Sequence, residues 1–102
     1  MTEPCWKLVV HEAAERELAS VTGEAGDELT DRLRDLKERE QPTEAPYVDH
    51  LSDHDDLFRV RVENHRAICR LAKPHLQVLL IARRQRVYDK LNTAKRRANL
   101  AD

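Results

Sequence analysis

The chain has little glycine, proline, cysteine or aromatic side chain: two, four, two and four residues among 102. So few glycines and prolines exclude collagen-like, low-complexity and linker-rich architectures. Two cysteines, Cys5 and Cys69, form neither a CxxC pair nor a metal-ligand spacing with any histidine, so they read as single thiols of a reducing compartment. No apolar run approaches the length needed to cross a bilayer; the longest, Leu76–Ala82, is broken by Gln77. Met1 to Trp6 lacks the basic and apolar regions of a signal peptide, so neither export nor membrane insertion is expected, and the cytoplasm is the expected location.

What is abundant is charge, at 36% of residues beside 40% hydrophobic ones, which is a folding composition. The length suits one domain spanning residues 1–102, with a modest core. The net charge of −1 conceals a division. Residues 1–56 hold 6 basic against 16 acidic side chains, and residues 57–102 hold 12 against 3. Thirteen of the 18 basic residues are arginine, the side chain whose planar fork matches two phosphate oxygens. The second half is therefore a candidate phosphate-binding surface, although opposite charges folded onto one another would leave the same imbalance.

Patterning gives the order β-αα-β-β-β-α, an α+β fold. Trp6–Val10 is a β-favouring run forming an N-terminal strand. His11 to Val21 turns helical, with Ala14, Leu18 and Val21 on one face, and Thr22–Gly26 stops it. Asp27 is placed to cap a second helix reaching about Arg39, with the stripe Leu29, Leu33, Leu36, and the pair forms an antiparallel helix hairpin. Gln41 to Asp56 reads as irregular and acidic. Leu57–Val62, His65–Leu71 and Leu76–Ala82, joined by short turns, make a three-stranded antiparallel meander. A short C-terminal helix follows from Asp89 to Leu100, and all helices are expected on one face of the sheet.

Alternation in the first meander strand sets Phe58, Val60 and Val62 on one face and Leu57, Arg59 and Arg61 on the other. The two arginines then lie roughly 7 Å apart. Arg66 follows the next turn, and Arg84 and Tyr88 follow the last strand, so a meander can bring all five to one patch. A plain solvated strand edge would carry the same long charged side chains. Asp49-His50, Asp53-His54 and Asp55-Asp56 cluster in sequence without strict ligand spacing, and no metal or other cofactor is expected. Lys95-Arg96-Arg97 reads as a solvated helix end.

Leu57-Phe58-Arg59-Val60-Arg61-Val62, then His65-Arg66-Ala67-Ile68-Cys69, then Leu79-Leu80-Ile81-Ala82-Arg83-Arg84-Gln85-Arg86-Val87-Tyr88 resembles the RelE family of toxins, within the RelE/ParE superfamily. The strand at Trp6, the helix hairpin and Leu51 extend the resemblance over nearly the whole chain. It implies the toxin of a type II toxin–antitoxin module, acting as a ribosome-dependent endoribonuclease on mRNA in the ribosomal A site. The implied chemistry is metal-independent attack of a ribose 2′-OH on the adjacent phosphate. By this resemblance Arg66, Arg84 and Tyr88 are catalytic, and Arg59, Arg61 and His65 bind substrate. A cognate antitoxin, in a toxin–antitoxin hetero-oligomer, and the ribosome with its mRNA are the implied partners. The family's glycine and tyrosine before the strand arginine are here Asn64-His65, or Glu63 in another alignment of the turn, so His65 is either an acid/base or a histidine packed under the sheet. Arginine cannot deprotonate, so Arg59 and Arg61 bind and neutralise charge only. The rival readings are the gyrase-inhibiting ParE branch, which generally lacks the closing tyrosine, and an inactive module that binds RNA or antitoxin.

Overall fold

The computed structural model describes residues 5–51 and 56–101. Strand β1 (Lys7–Val10) leads into helices α1 (Glu12–Ser20) and α2 (Glu24–Glu38), and a 3-10 turn at Pro42–Glu44 precedes β2 (Val48–His50). Then come β3 (Leu57–Val62), β4 (His65–Ala72) and β5 (His75–Arg83), 3-10 turns at Arg84–Arg86 and Tyr88–Lys90, and α3 (Leu91–Ala101). The sheet order is β1-β5-β4-β3-β2, with β1 parallel to β5 and the other pairs antiparallel. The expected α+β arrangement is thus observed, including the meander β3-β4-β5.

The helix hairpin is set by local chemistry. His11 Nδ1 accepts the Ala13 N–H at 3.1 Å and caps α1. Gly23 adopts φ 71° at the turn, where a side chain is strained, and begins α2, so Asp27 lies within the first turn rather than at the cap. At Gly26 a Cβ would stand 2.6 Å from the Val21 carbonyl oxygen, so only glycine permits this approach. The stripe Leu29, Leu33 and Leu36 is buried as its spacing requires. It packs with Phe58, Val60, Val62, Ala67, Cys69, Leu76, Val78 and Ile81 into one core layer.

Two further expectations, about a strand and a helix, are corrected. The acidic segment holds a short strand, β2, paired Val48↔Val60, Asp49↔Arg59 and His50↔Phe58. In addition, α3 does not join the hairpin's face. Its Leu91, Ala94 and Ala98 pack on Leu57, Ile68, Leu79, Leu80 and Ala82, the opposite face of the sheet. A bulge makes this second layer: Ile68 pairs with Leu80 and Cys69 with Val78, leaving Leu79 between them. Leu79 and Leu80 consequently both enter the layer beneath α3.

The two helical layers meet around the edge of β5. The last bond linking β1 to β5 runs from His11 N–H to Val78 O, after which β5 continues with that edge open. There Arg97 of α3, expected with Lys95 and Arg96 on a solvated helix end, is instead largely buried and donates to the Leu79 carbonyl at 3.0 Å, and Glu17 of α1 accepts the Ile81 N–H at 3.0 Å. Arg97 and Glu17 also bond each other twice, at 2.8 and 3.1 Å. Side chains from opposite faces therefore satisfy main-chain groups that a further strand would otherwise take. No helix among the described residues is long and apolar enough to cross a membrane.

Candidate functional site

Pairing register decides which arginines share a face. Arg61 stands opposite Arg66, Arg59 opposite Ile68, and Arg66 opposite Ala82, so Arg59, Arg61 and Arg66 all lie on the face that α3 covers in part. The apolar half of that face carries α3; the half toward the Glu63–Asn64 turn carries the arginines. Like charges directly across a strand pair repel, so this arrangement costs stability unless anions or carbonyls compensate.

Asp49 supplies one compensation. Its Oδ2 accepts Arg59 Nε at 3.2 Å, and Arg61 Nε lies 2.8 Å from the same oxygen as an ion pair. Arg61 Nη2 also donates to the Pro46 carbonyl at 2.6 Å. Arg59 Nη1 donates to the Tyr88 hydroxyl at 2.9 Å, and its guanidinium lies 5.8 Å from the centre of the Tyr88 ring. Tyr88 itself is 65% exposed, an aromatic surface open to stacking. Burial alone would lower the Arg59 pKa, but the hydrogen bonds to Asp49 and Tyr88 carry it above its ordinary value.

Arg66 is the most buried of the group, at 8% exposure. Its Nη1 donates to the Glu63 and His65 carbonyls at 2.9 and 2.8 Å, while its buried Nε has no hydrogen-bond partner. Burial lowers its pKa, and the charges of Arg59, Arg84 and Arg61 lower it further, with Asp49 opposing them. A guanidinium that is desolvated, ringed by like charge and incompletely bonded is a strong anion receptor. Arg84 is brought near by its own main chain: its N–H donates to the Asn64 carbonyl at 2.7 Å, tying the turn after β5 to the β3–β4 turn. Its side chain is exposed and, among the described residues, makes no hydrogen bond or ion pair.

Five of the six residues singled out in the sequence are therefore neighbours. His65 is not among them. It pairs with Val62 and follows that residue to the α1–α2 face, half-buried, with Nδ1 enclosed and without a partner. Sequence reasoning missed Asp49 as a member, having grouped it with the His- and Asp-containing cluster of the irregular acidic segment. The one hint in the sequence was Tyr47-Val48, a β-favouring pair too short to mark a strand by itself. Of that cluster, Asp53, His54 and Asp55 lie outside the described residues. Among the described residues no three His, Cys, Asp or Glu side chains gather as a metal-ligand set. Cys5 is exposed and free, and Cys69 is free and buried, its thiol pKa pushed up by burial.

No protein-family model matches the sequence, and no curated protein matches it. Among solved structures, a chain in the crystal structure of the RelB–RelE antitoxin–toxin complex from Methanococcus jannaschii is similar, with a TM-score of 0.67. The likeness covers 79% of this chain and 95% of that chain, at 12% sequence identity. It shows that the strand, helix hairpin, sheet and C-terminal helix follow a RelE-like arrangement.

Proposed function

We propose that this protein is the toxin of a type II toxin–antitoxin module and cleaves mRNA on the ribosome, in the cytoplasm. The observation that carries the reading is the grouping of Arg59, Arg61 and Arg66 on one face of the sheet with Arg84 and Tyr88 from the turns that follow β5. Attack of a 2′-OH on phosphorus adds negative charge to the phosphate oxygens in the transition state. Preorganised guanidinium groups stabilise that charge more than they stabilise the ground state. Arg66 and Arg84 face the phosphate, Arg59 and Arg61 hold the neighbouring backbone, and Tyr88 stacks on a base or exchanges a proton. The scheme calls on no metal or other cofactor. An antitoxin segment carrying carboxylates would neutralise the same patch in a toxin–antitoxin hetero-oligomer.

Primer extension on a translating mRNA tests this, with purified ribosomes and either wild-type protein or Tyr88→Phe. Cuts inside A-site codons that disappear in the variant are expected. A folded wild-type protein that makes no cuts would refute the reading. Inhibition of gyrase supercoiling would then support the ParE-like alternative, and its absence a module that only binds.

A further inference from the structure

The reaction proposed above requires a proton acceptor for the 2′-OH, and the patch offers few. Its four arginines cannot accept a proton. His65 lies on the other face of the sheet. Tyr88 already receives a hydrogen bond from Arg59 on its oxygen and retains its own proton to give. Asp49 is the carboxylate on the arginine face, directly opposite Arg59 in the register. Both arginine contacts fall on Oδ2, so its orientation is fixed, while Oδ1 carries no hydrogen bond among the described residues.

We infer that Asp49 is the general base of this site, with Tyr88 as the general acid; the inference rests on the nuclease reading. The 2′-O–H proton passes to Asp49 Oδ1 as the 2′ oxygen bonds to phosphorus. The P–O5′ bond breaks, its electron pair leaves on O5′, and the Tyr88 hydroxyl proton goes to that oxygen. Asp49 then releases its proton to water and Tyr88 takes one back, leaving a 2′,3′-cyclic phosphate and a 5′-OH. Arg59 links the two groups, through Nε to Asp49 and through Nη1 to Tyr88, so one side chain sets their spacing.

The test uses ribosomes programmed with a short mRNA carrying one 5′-bridging sulfur at the cleavage site, compared with the all-oxygen mRNA. Sulfur leaves without a proton, so it relieves the need for an acid and not for a base. General acid–base groups contribute about 100-fold or more. Asp49→Asn is expected to slow both substrates by that factor. Tyr88→Phe is expected to be slow on the oxygen substrate and near wild type on the sulfur one. Binding of an uncleavable 2′-deoxy mRNA by Asp49→Asn is expected to be unweakened, since the variant removes a negative charge beside the phosphate. Asp49→Glu, which keeps a carboxylate, is expected to retain more activity than Asp49→Asn and also serves if the latter does not fold. Restoration of Asp49→Asn by sulfur, or a loss of cleavage matched by a loss of binding, would overturn the base assignment alone. Wild-type protein that cuts neither mRNA would overturn the nuclease reading and the base with it.

Discussion

Replacing Arg97 by methionine isolates the contact that fastens the two helical layers around the sheet edge. Methionine keeps much of the apolar stem but removes two charge-assisted bonds to Glu17 and one bond to the Leu79 carbonyl. Enclosed bonds of this type contribute about 1.5–3 kcal/mol each. Here the Arg97 and Glu17 side chains remain 16% and 24% exposed, so water partly re-solvates the groups left behind. Glu17 also keeps its bond from the Ile81 N–H. The net cost is therefore about 2 kcal/mol, a fall of roughly 8–16 °C in melting temperature for a domain of this size. Thermal melts followed by circular dichroism measure it, with Glu17→Gln and the double variant closing a cycle whose coupling is expected to exceed about 1 kcal/mol. Arg16→Ala is the control. Its partner Glu12 lies 3.6 Å away, both side chains are more than two-thirds exposed, and a change under about 0.5 kcal/mol is expected. An Arg97→Met melt no lower than that of Arg16→Ala would refute the latch.

Tyr47 is held with its pKa raised to about 12, chiefly by burial and then by its bond to Asp35. Its contribution to stability is thus constant below its unfolded value near 10 and lost as pH climbs from there toward 12. Tyr47→Phe should remove that alkaline slope and the late phenolate absorbance. The same bond, followed by Arg39, lowers the Asp35 pKa, so that contribution is present above about pH 4 and lost as pH falls through the lowered value. Acid denaturation of Asp35→Asn should be correspondingly less steep. Arg66→Met removes a buried cation repelled by three others and should leave the unfolding free energy within about 1 kcal/mol of wild type or above it. Stabilisation by added inorganic phosphate should vanish in that variant. Leu80→Ala, fully buried beneath α3, should cost about 3 kcal/mol by denaturant titration.

The parts legible in the sequence are those written in a period. Spacings of three and four placed Leu29, Leu33 and Leu36 inward, and alternation separated Phe58, Val60 and Val62 from Arg59 and Arg61. Short turns between strands implied the meander, and the meander brought Arg66 beside Arg61. What stayed hidden depends on pairing across long separations. Strand β2 is three residues with an Asp and a His, too short and polar to announce itself, and it is held by partners distant in sequence, Val48 in the core and Asp49 against Arg59 and Arg61. The side of the sheet taken by α3 is set by the Leu79–Leu80 bulge, since an uninterrupted alternation would not place two successive leucines on one face. Its small core residues, Ala94 and Ala98, gave no strong stripe. His65 illustrates the converse: proximity to Arg66 in sequence means the opposite face in a strand.

The most direct measurement is the chemistry of the product ends after the purified protein meets ribosomes programmed with a defined mRNA. Fragments ending in a 2′,3′-cyclic phosphate, with a 5′-OH on the downstream piece, and lost in Arg66→Ala, are the predicted result. A folded wild-type protein yielding no fragments, fragments with 5′-phosphate ends, or equal cleavage by Arg66→Ala would contradict the claim that this arginine patch performs 2′-OH attack on mRNA.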